Sequence, residues 1–253
     1  MADWDSEQYL KFGDQRTQPA RDLASRLAGL SPRSAADIGC GPGNSTAVLK
    51  SFFPDADVIG IDSSPDMTAK ARASYPELKF RLCDVWSLDG TFDLLFSNAC
   101  LQWVPDHRSL IPFLMSRLND GGELAVQIPM NDEEPLFGII RQTVADPAWG
   151  LDDVQTAHSR PVLSPSDYYD ILSGCSVRFD MWQTKYYHRL DGHKSLLEWV
   201  KGTRLRPYLD SMDAGRAQDF EAEILRRTEA AYPLLCDGGV MLCFRRFFFI
   251  ARK

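Results

Sequence analysis

Three acidic residues in the first third of the chain each stand within or at the end of a short apolar stretch. Asp37 lies in "SAADIG", Asp62 ends "ADVIGID" and Asp84 ends "LKFRLCD". A carboxylate at the end of a buried strand can accept hydrogen bonds from both hydroxyls of a ribose, or from an adenine amino group. The set therefore favours an adenosine with a cationic appendage, rather than a chain of phosphates, as the ligand.

A glycine-rich loop, "GCGPGN", follows the first of these stretches and allows a ligand to approach the backbone closely. A dinucleotide-binding loop has the pattern G-x-G-x-x-G. Gly39 and Gly41 fit its start, but the third glycine is Gly43 and position 44 is Asn44. The loop also lacks the G-K-[ST] of a phosphate loop, so a pyrophosphate ligand is disfavoured. Asp37 is as well suited to bonding loop amides as to contacting a ligand.

Short apolar runs alternate with helical patterns through the first half of the chain. This rhythm predicts parallel strands joined by crossovers, hence a doubly wound, mostly parallel α/β sheet with helices on both faces. Ser64 followed by Pro65 predicts a helix start, because Ser caps free amides and Pro suits the first turn. "NDGG" (119–122) predicts a turn. The predicted strands are 34–39, 56–62, 78–84, 92–98, 122–129, 176–190 and 238–253.

The chain shows no internal repeat and no linker, so we predict a single domain over residues 1–253. The second half adds helical patterns, which we interpret as a cap inserted before the last strand, over the carboxyl edge of the sheet, where open α/β folds bind ligands. The predicted parts are an N-terminal helical lid (1–30), a cofactor-binding half (31–130), connecting helices with strand six (131–190), a helical cap (191–236) and the last strand (237–253).

Composition narrows the class of partner. The net charge is −7, which disfavours nucleic acid, because binding to a phosphate backbone needs a basic surface. The N-terminus lacks an apolar signal core, and "RFFFIA" is too short to span a bilayer. The six cysteines are scattered without a C-x-x-C pair. We therefore expect a reduced, cytoplasmic protein with no membrane partner.

The motifs "DIGCGPGNST", "GIDSSPDM" and "CDVW" resemble, in order and spacing, those of the class I S-adenosylmethionine-dependent methyltransferases. The resemblance implies a seven-stranded Rossmann-like sheet and S-adenosyl-L-methionine as cofactor, with S-adenosyl-L-homocysteine as its product. "WDSEQYLKFGDQRTQPA", "FSNACLQWVPDH", "YYDILS" and "LRPYL" are similar to the trans-aconitate 2-methyltransferase family, over most of the chain from Trp4. That likeness implies esterification of one carboxylate of a tricarboxylic acid, giving the monomethyl ester of trans-aconitate.

The same resemblance assigns cofactor-binding roles along the first hundred residues. The glycines would let the backbone approach the methionyl part, Asp62 would bind the ribose, and Ser63 or Met67 would border the adenine. Two residues of the N-terminal segment would close over the cofactor, with Arg16 as the candidate for its carboxylate. The implied cofactor-binding residues are Tyr9, Arg16, Gly39, Gly41, Gly43, Asn44, Asp62, Ser63, Met67, Asp84, Val85, Asn98 and Ala99.

Transfer to a carboxylate needs no general base, because a carboxyl group with a pKa of roughly 4 is already ionised at neutral pH. We therefore predict no catalytic side chain and no metal; the enzyme aligns the reactants instead. Holding the other carboxylates suits Arg, through its bidentate fork. The candidate substrate-binding residues are Trp103, Tyr187, His188, Arg204, Arg206 and Arg246.

Each substrate candidate has a plainer interpretation. Trp103 fits a core aromatic equally well, and Arg204 and Arg206 fit a solvated helix face. Arg204 also departs from the small residue that the resemblance leads us to expect at its position. Arg245 and Arg246 are adjacent in a strand, so they point to opposite faces and only one can enter a given pocket. The other histidines, at positions 107, 158 and 193, are expected at the surface.

Two other functions remain open on the sequence alone. The chain could methylate a carboxyl group of another acid, such as a malonyl thioester, or it could bind S-adenosylmethionine without transferring the methyl group. "SNACLQW", beside the expected sulfonium, and the helical cap argue against the second alternative. The expected partner is a small carboxylic acid, and the expected state is a monomer or a weak homo-oligomer.

Overall fold

The computed structural model describes residues 13–154 and 162–253, which form two compact units. The first, here called the sheet unit, contains Gly13–Pro129, residues 162–184 and Arg246–Lys253. The second, here called the helical unit, contains residues 130–154 and Lys185–Arg245. Within the described ranges, no helix combines the length and the apolar character needed to cross a membrane.

Seven strands form one sheet in the order β3-β2-β1-β4-β5-β7-β6, with β7 antiparallel to β5 and the pairs among the first five strands parallel. This is the predicted doubly wound topology, in which β1 and β4 meet where the strand order reverses. The strands are β1 (Ser34–Ile38), β2 (Asp57–Asp62), β3 (Lys79–Leu82), β4 (Phe92–Asn98), β5 (Leu118–Pro129), β6 (Arg178–Leu190) and β7 (Val240–Arg252).

The predicted helix start at Ser64 is confirmed. The Ser64 side chain accepts a hydrogen bond from the Met67 amide, and Pro65 takes the first helical position. The helices are α1 (Gly13–Ser25), α2 (Asn44–Phe52), α3 (Pro65–Ser74), α4 (His107–Ser116), α5 (Pro135–Val144), α6 (Pro165–Cys175), α7 (His193–Val200), α8 (Arg206–Leu209) and α9 (Ala214–Ala231). Short 3₁₀ turns cover Val85–Ser87, Leu101–Trp103 and Pro147–Trp149, and a π-helical turn covers Lys201–Leu205.

The predicted turn at "NDGG" is a bulge rather than a break. Strand β5 already begins at Leu118, and its pairing with β4 shifts register between Phe92 and Leu94. Gly121 takes a positive φ of 76°, and the Asn119 amide donates to Asp93 at 2.7 Å. A glycine in this conformation can absorb the extra residues of a bulge, so the strand continues through the segment.

The sheet unit has an apolar interior on both sides of its central strands. Strand β5 is buried from Gly122 to Ile128 without alternation, as expected for a strand covered on both faces. Helix α4 buries Leu110, Ile111 and Leu114, which lie on one helical face. The burial fixes the register of the sheet, and with it the position of every residue at the carboxyl ends of the strands.

The helical unit has a core of its own. Leu136 and Ile140 of α5, Leu196 of α7, and Phe220 and Ile224 of α9 belong to one buried cluster. The four-residue spacing within α5 and within α9 gives each of these two helices an apolar stripe. This confirms the helices that the sequence predicts between residues 191 and 236, while the predicted limits of the domain parts stay predictions.

Candidate active site

The three loop glycines all have positive φ, but they differ in what surrounds them. A Cβ at Gly39 would lie 2.0 Å from Cys100 Sγ, and one at Gly43 would lie 2.7 Å from the Tyr75 ring. Among the described residues, a Cβ at Gly41 would meet no atom within 4 Å beyond its own chain neighbours. Gly39 and Gly43 are therefore required by packing, whereas Gly41 leaves open space beside the backbone where a ligand can approach.

Asp62, the last residue of β2, connects this loop to helix α3. Its Oδ2 accepts from the Gly41 amide at 2.9 Å, and its Oδ1 accepts from the Ser64 amide at 2.8 Å. Each carboxylate oxygen has a second lone pair, so both can still accept from a vicinal diol. The side chain is half-buried, as is Ser63 next to it. The open space beside Gly41 and the remaining acceptor capacity of the Asp62 carboxylate together fit the two hydroxyls of an adenosine ribose.

The Asp37 carboxylate is buried and bonds side chains at the start of helix α2. Its Oδ2 accepts hydrogen bonds from the Ser45 and Thr46 hydroxyls, both at 2.6 Å, while its Oδ1 is buried with no donor among the described residues. Burial raises the pKa of Asp37 to about 6, partly offset by the two hydroxyls. Of its two sequence interpretations, the structure therefore supports the structural one, through side-chain hydroxyls of α2 rather than loop amides.

The residues predicted around the adenine lie after β3 and at the start of α3. Asp84 Oδ1 accepts from the Trp86 amide at 2.9 Å and caps the following 3₁₀ turn. The side chains of Val85 and Met67 are buried at 7% and 6% exposure. Asn44, the first residue of α2, is half-buried. All of these lie in the sheet unit, with Asp84 the exposed member that can meet a ligand amino group.

The residue that follows β4 has an unusual backbone conformation. Ala99 has a φ of 54°, which is uncommon for a residue with a Cβ. Its amide donates to the Gln127 carbonyl at 3.0 Å, and its carbonyl accepts from Gln102 Nε2 at 2.6 Å. The preceding Asn98 Oδ1 is buried with no donor among the described residues. Strained backbone of this kind is concentrated at functional sites, and here it lies where the sequence predicts the sulfonium.

Neither cysteine beside the glycine loop behaves as a nucleophile. Burial raises the pKa of the Cys40 thiol and of the Cys100 thiol, and nearby carboxylates raise both further. Both groups are therefore neutral thiols at physiological pH, and a covalent route through a thiolate is disfavoured.

Two of the predicted substrate residues lie in the sheet unit. Arg246 of β7 is only 4% exposed, and its Nη1 donates to Gln127 Oε1 at 3.3 Å. Trp103 is 41% exposed, so it is not the buried core aromatic of the alternative interpretation. In the helical unit, Arg245 instead pairs with the exposed carboxylate of Glu133 at 2.7 Å. The two adjacent arginines thus have different surroundings, and a substrate role for Arg246 stays a prediction.

The remaining substrate candidates lie in the helical unit. Arg206 Nε lies 3.4 Å from Asp210, and its Nη1 is buried with no acceptor among the described residues. His188 stacks on Trp199 with ring centroids 5.0 Å apart, whereas Tyr187 is 65% exposed in the outward row of β6. Arg204 is half-buried in the π-helical turn. Substrate roles for these four residues stay predictions.

Four other residues singled out from the sequence lie outside the described residues, are described only in part, or differ from their prediction. Tyr9 and His158 lie outside the described residues, and Arg16 is described only as part of helix α1. The surface position predicted for His107 is wrong, because the side chain is buried at 7% exposure. Its Nε2 donates to the Leu101 carbonyl at 2.8 Å, so its Nδ1 accepts from the Tyr168 hydroxyl. His107 therefore ties α4 to α6.

Gln127 is a further candidate site residue, which the sequence does not predict. It lies in β5, is completely buried, and bonds the buried Arg246. The sequence carries a signal in "LAVQIP", where one amide interrupts an otherwise apolar run. A polar residue at such a position requires a partner, and its partner comes from β7, 119 residues later.

The protein-family model described as "Methyltransferase domain" matches residues 35–122 of the chain. The trans-aconitate 2-methyltransferase of Rhodopseudomonas palustris (strain BisB5) is 46% identical over 256 residues, covering all of both chains. That of Methylobacterium nodulans is also 46% identical, over all of this chain and 99% of its own. The chain belongs to the trans-aconitate 2-methyltransferase family.

Family membership confirms the predicted superfamily of class I S-adenosylmethionine-dependent methyltransferases, and with it the enzyme class and the methyl donor. The fold comparison agrees. The YcgJ protein of Bacillus subtilis superposes with a TM-score of 0.62 at 16% identity, covering 93% of this chain and 98% of the other. At this identity the likeness concerns the fold alone, and it confirms the predicted α/β class.

Proposed function

We propose that the chain transfers the methyl group of S-adenosylmethionine to one carboxylate of trans-aconitate and so makes its monomethyl ester. The observation that carries this proposal is the buried Arg246 in a chain of net charge −7, in the same unit as Gly41 and Asp62. A buried cation at the carboxyl edge of the sheet is suited to an anionic acid. The names of the relatives supply the particular acid.

The cofactor residues follow from the geometry of the loop. S-Adenosylmethionine supplies a methyl group activated by a positively charged sulfur. Gly41 leaves room for the ligand, Asp62 would accept from the ribose hydroxyls, and Asp84 would accept from the adenine amino group. Asn98 ends β4 and Ala99 follows it, and both would flank the methionyl part. These assignments rest on hydrogen-bond capacity and on the order of the strands.

The acid needs orientation rather than activation. Its reacting carboxylate is already ionised, since its pKa is roughly 4, so the protein has to direct one oxygen and exclude water. Arg246 would hold a second carboxylate, and Trp103 would offer an apolar wall. Tyr187, His188, Arg204 and Arg206 are additional candidates from sequence, with Arg206 favoured because its guanidinium has a buried, unpartnered nitrogen among the described residues.

We also propose that the enzyme works in the cytoplasm on a small molecule, without nucleic acid or membrane, as a monomer or a weak homo-oligomer. The support is the excess of 35 acidic over 28 basic side chains, which opposes binding to polyanions.

One assay tests the function. The purified chain is incubated with methyl-labelled cofactor and a panel of di- and tricarboxylic acids and thioester acids, and the products are analysed. We expect label in an ester of trans-aconitate. Label in a malonyl thioester, with none in the tricarboxylic acid, would favour another acid as substrate. Cofactor binding with no transfer to any acid would identify a protein that binds S-adenosylmethionine without catalysis.

A further inference from the structure

A buried polar pair joins β5 to β7 in the sheet unit. Gln127 is 0% exposed and Arg246 is 4% exposed, and the two are joined by a hydrogen bond from Arg246 Nη1 to Gln127 Oε1. Everything around them in β5 is apolar from Leu124 to Ile128. Placing an amide and a guanidinium in this setting costs solvation that apolar residues would avoid, so the pair calls for a functional reason.

The hydrogen bond determines which way the Gln127 amide points. A guanidinium has donors and no acceptor, so Gln127 must present its oxygen to Arg246. Its Nε2 then lies on the other branch of the amide. That nitrogen is buried and has no acceptor among the described residues. A buried donor left unmatched is destabilising, and it is matched when a ligand brings an acceptor.

The strand register places this donor at the ligand-binding edge. Gln127 pairs with Asn98 of β4 and with Phe248 of β7, and Arg246 pairs with Pro129, the last residue of β5. Paired residues on neighbouring strands point to the same face of a sheet, as do residues two apart. Asn98, Gln127 and Arg246 therefore share one face at the carboxyl end of the parallel strands, next to the strained Ala99.

Gln at position 127 also preserves the charge of the site. A Glu there would add a carboxylate beside Arg246, whereas an amide orients the guanidinium without adding a negative charge to the site. An amide N–H and a guanidinium on the same face form a donor set suited to a carboxylate. A carboxylate held by both would be a poor nucleophile, because hydrogen bonding stabilises its charge.

On the basis of the proposed function, we infer that Gln127 positions Arg246 and donates from its own Nε2 to the same substrate carboxylate, one that is not methylated. Gln127 thus helps decide which acids are accepted. An acid without a carboxylate at this place would leave the buried Gln127 Nε2 without an acceptor among the described residues, and sites built for a hydrogen-bonding group reject ligands that lack it.

The test compares Gln127→Glu with wild type on trans-aconitate and on the analogues in which one carboxylate is a primary amide. Gln127→Glu removes the donor and adds a charge that repels the acid. We expect its KM for the acid to rise roughly a hundredfold, with the Kd for S-adenosylhomocysteine within about twofold. One amide analogue should instead become a better substrate for the variant than for wild type, because Glu accepts from an amide N–H. A merely structural role would not produce this exchange of preference.

Two further variants make the result decisive. Gln218→Glu, at an exposed position of α9, makes the same change in charge and should leave both substrates unaffected. Gln127→Met removes both amide groups at similar length. If Gln127→Glu does not fold, Gln127→Met decides, with an expected tenfold or so higher KM for the acid and unchanged cofactor affinity. An unchanged KM, or a parallel loss of cofactor binding, in the deciding variant would overturn the inference.

Calorimetry separates this inference from the proposed function. Trans-aconitate is titrated into the S-adenosylhomocysteine complex of wild type and of the deciding variant. If wild type binds the acid without methylating it, the proposed function fails, and weaker binding by the variant still supports the carboxylate site. If wild type does not bind the acid, or the variant binds it equally well, the inference on Gln127 is wrong.

Discussion

At the scale of single residues, Asp62 combines two tasks. Its oxygens accept from the amides of Gly41 and Ser64, and we expect their remaining lone pairs to bind the ribose. Asp62→Asn keeps the size but places an amide N–H against a backbone donor. The affinity for S-adenosylhomocysteine should fall by roughly 2–4 kcal/mol. Calorimetric titration measures this loss. Asp66→Asn, which disturbs only a surface pair with Lys70, is the control, and unchanged affinity in Asp62→Asn would contradict the assignment.

Arg206 allows a second test at this scale. Arg206→Lys keeps the charge and loses the bidentate fork, so kcat/KM for the acid should fall about ten- to a hundredfold, or about 1.4–2.8 kcal/mol. Cofactor affinity should stay the same. Arg226→Lys, on an exposed pair with Glu223, is the matched control. Near-normal efficiency of Arg206→Ala on the acid would assign the carboxylate clamp to the other cations, Arg204, Arg246 or His188.

The residues that the sequence predicts differ from those it does not predict in how close along the chain their hydrogen-bond partners lie. Asp62 bonds amides within 21 residues of itself, and both partners lie in recognisable motifs. Gln127 and His107 depend on Arg246 and Tyr168, which are 119 and 61 residues away. A polar residue in a strand or a histidine on a helix carries no sign of such a partner until the sheet register is known. Distant side-chain pairs are therefore what the sequence alone could not supply.

At the scale of elements, the β1–α2 loop contains two glycines that are required by packing, Gly39 and Gly43, and one, Gly41, that leaves space for a ligand. Gly41→Ala introduces strain from its φ of 53° but no clash, so the protein should fold and bind the cofactor more weakly, by roughly tenfold or more. Gly90→Ala is the control, because it has a φ of 76° and equally open surroundings. Thermal unfolding and cofactor titration together test this. Equal effects of both changes on cofactor affinity would contradict a ligand-facing role for Gly41.

The same loop should make stability depend on pH through Asp37. Its pKa is about 6 in the folded chain and 3.8 ordinarily, so folding takes up a proton between these values. The free energy of unfolding therefore falls as pH rises through them, by roughly 3 kcal/mol in total. Asp37→Asn keeps an acceptor for Ser45 and Thr46 and carries no charge. Its stability relative to wild type, from urea unfolding, should increase from pH 4 to 7. A constant difference across that range would contradict this prediction.

The elements themselves were largely accessible from sequence. Continuous apolar runs predicted the buried strands, and Ser64 with Pro65 predicted the start of α3, because these signals are local. The exception is "NDGG", which reads as a turn. Gly121 and the bond from Asn119 to Asp93 convert it into a bulge, and that outcome depends on the neighbouring strand β4. Tertiary pairing overrides the local turn signal here.

At the scale of the whole molecule, an acidic protein has to bind an acidic substrate. The net charge of −7 repels a tricarboxylate at long range, and salt reduces this repulsion. In the proposed function, the buried Arg246 would attract the acid at short range, where solvent screens little. Affinity for the acid should therefore depend on a few sheltered cations, and a role in holding the acid would account for the burial of Arg246.

Turnover by this enzyme should depend little on pH near neutrality. The acid is ionised well below neutral pH, and burial keeps Cys40 and Cys100 as neutral thiols. At saturating substrates, kcat should therefore vary less than about twofold between about pH 7 and 8.5. Wild type, Asp37→Asn and His188→Asn are compared from about pH 6 to 8.5. A change of slope in the kcat profile near pH 6 that is absent from Asp37→Asn would be assigned to the titration of Asp37 beside the glycine loop. A bend that disappears only in His188→Asn would show that a base assists the transfer, against the mechanism of positioning alone.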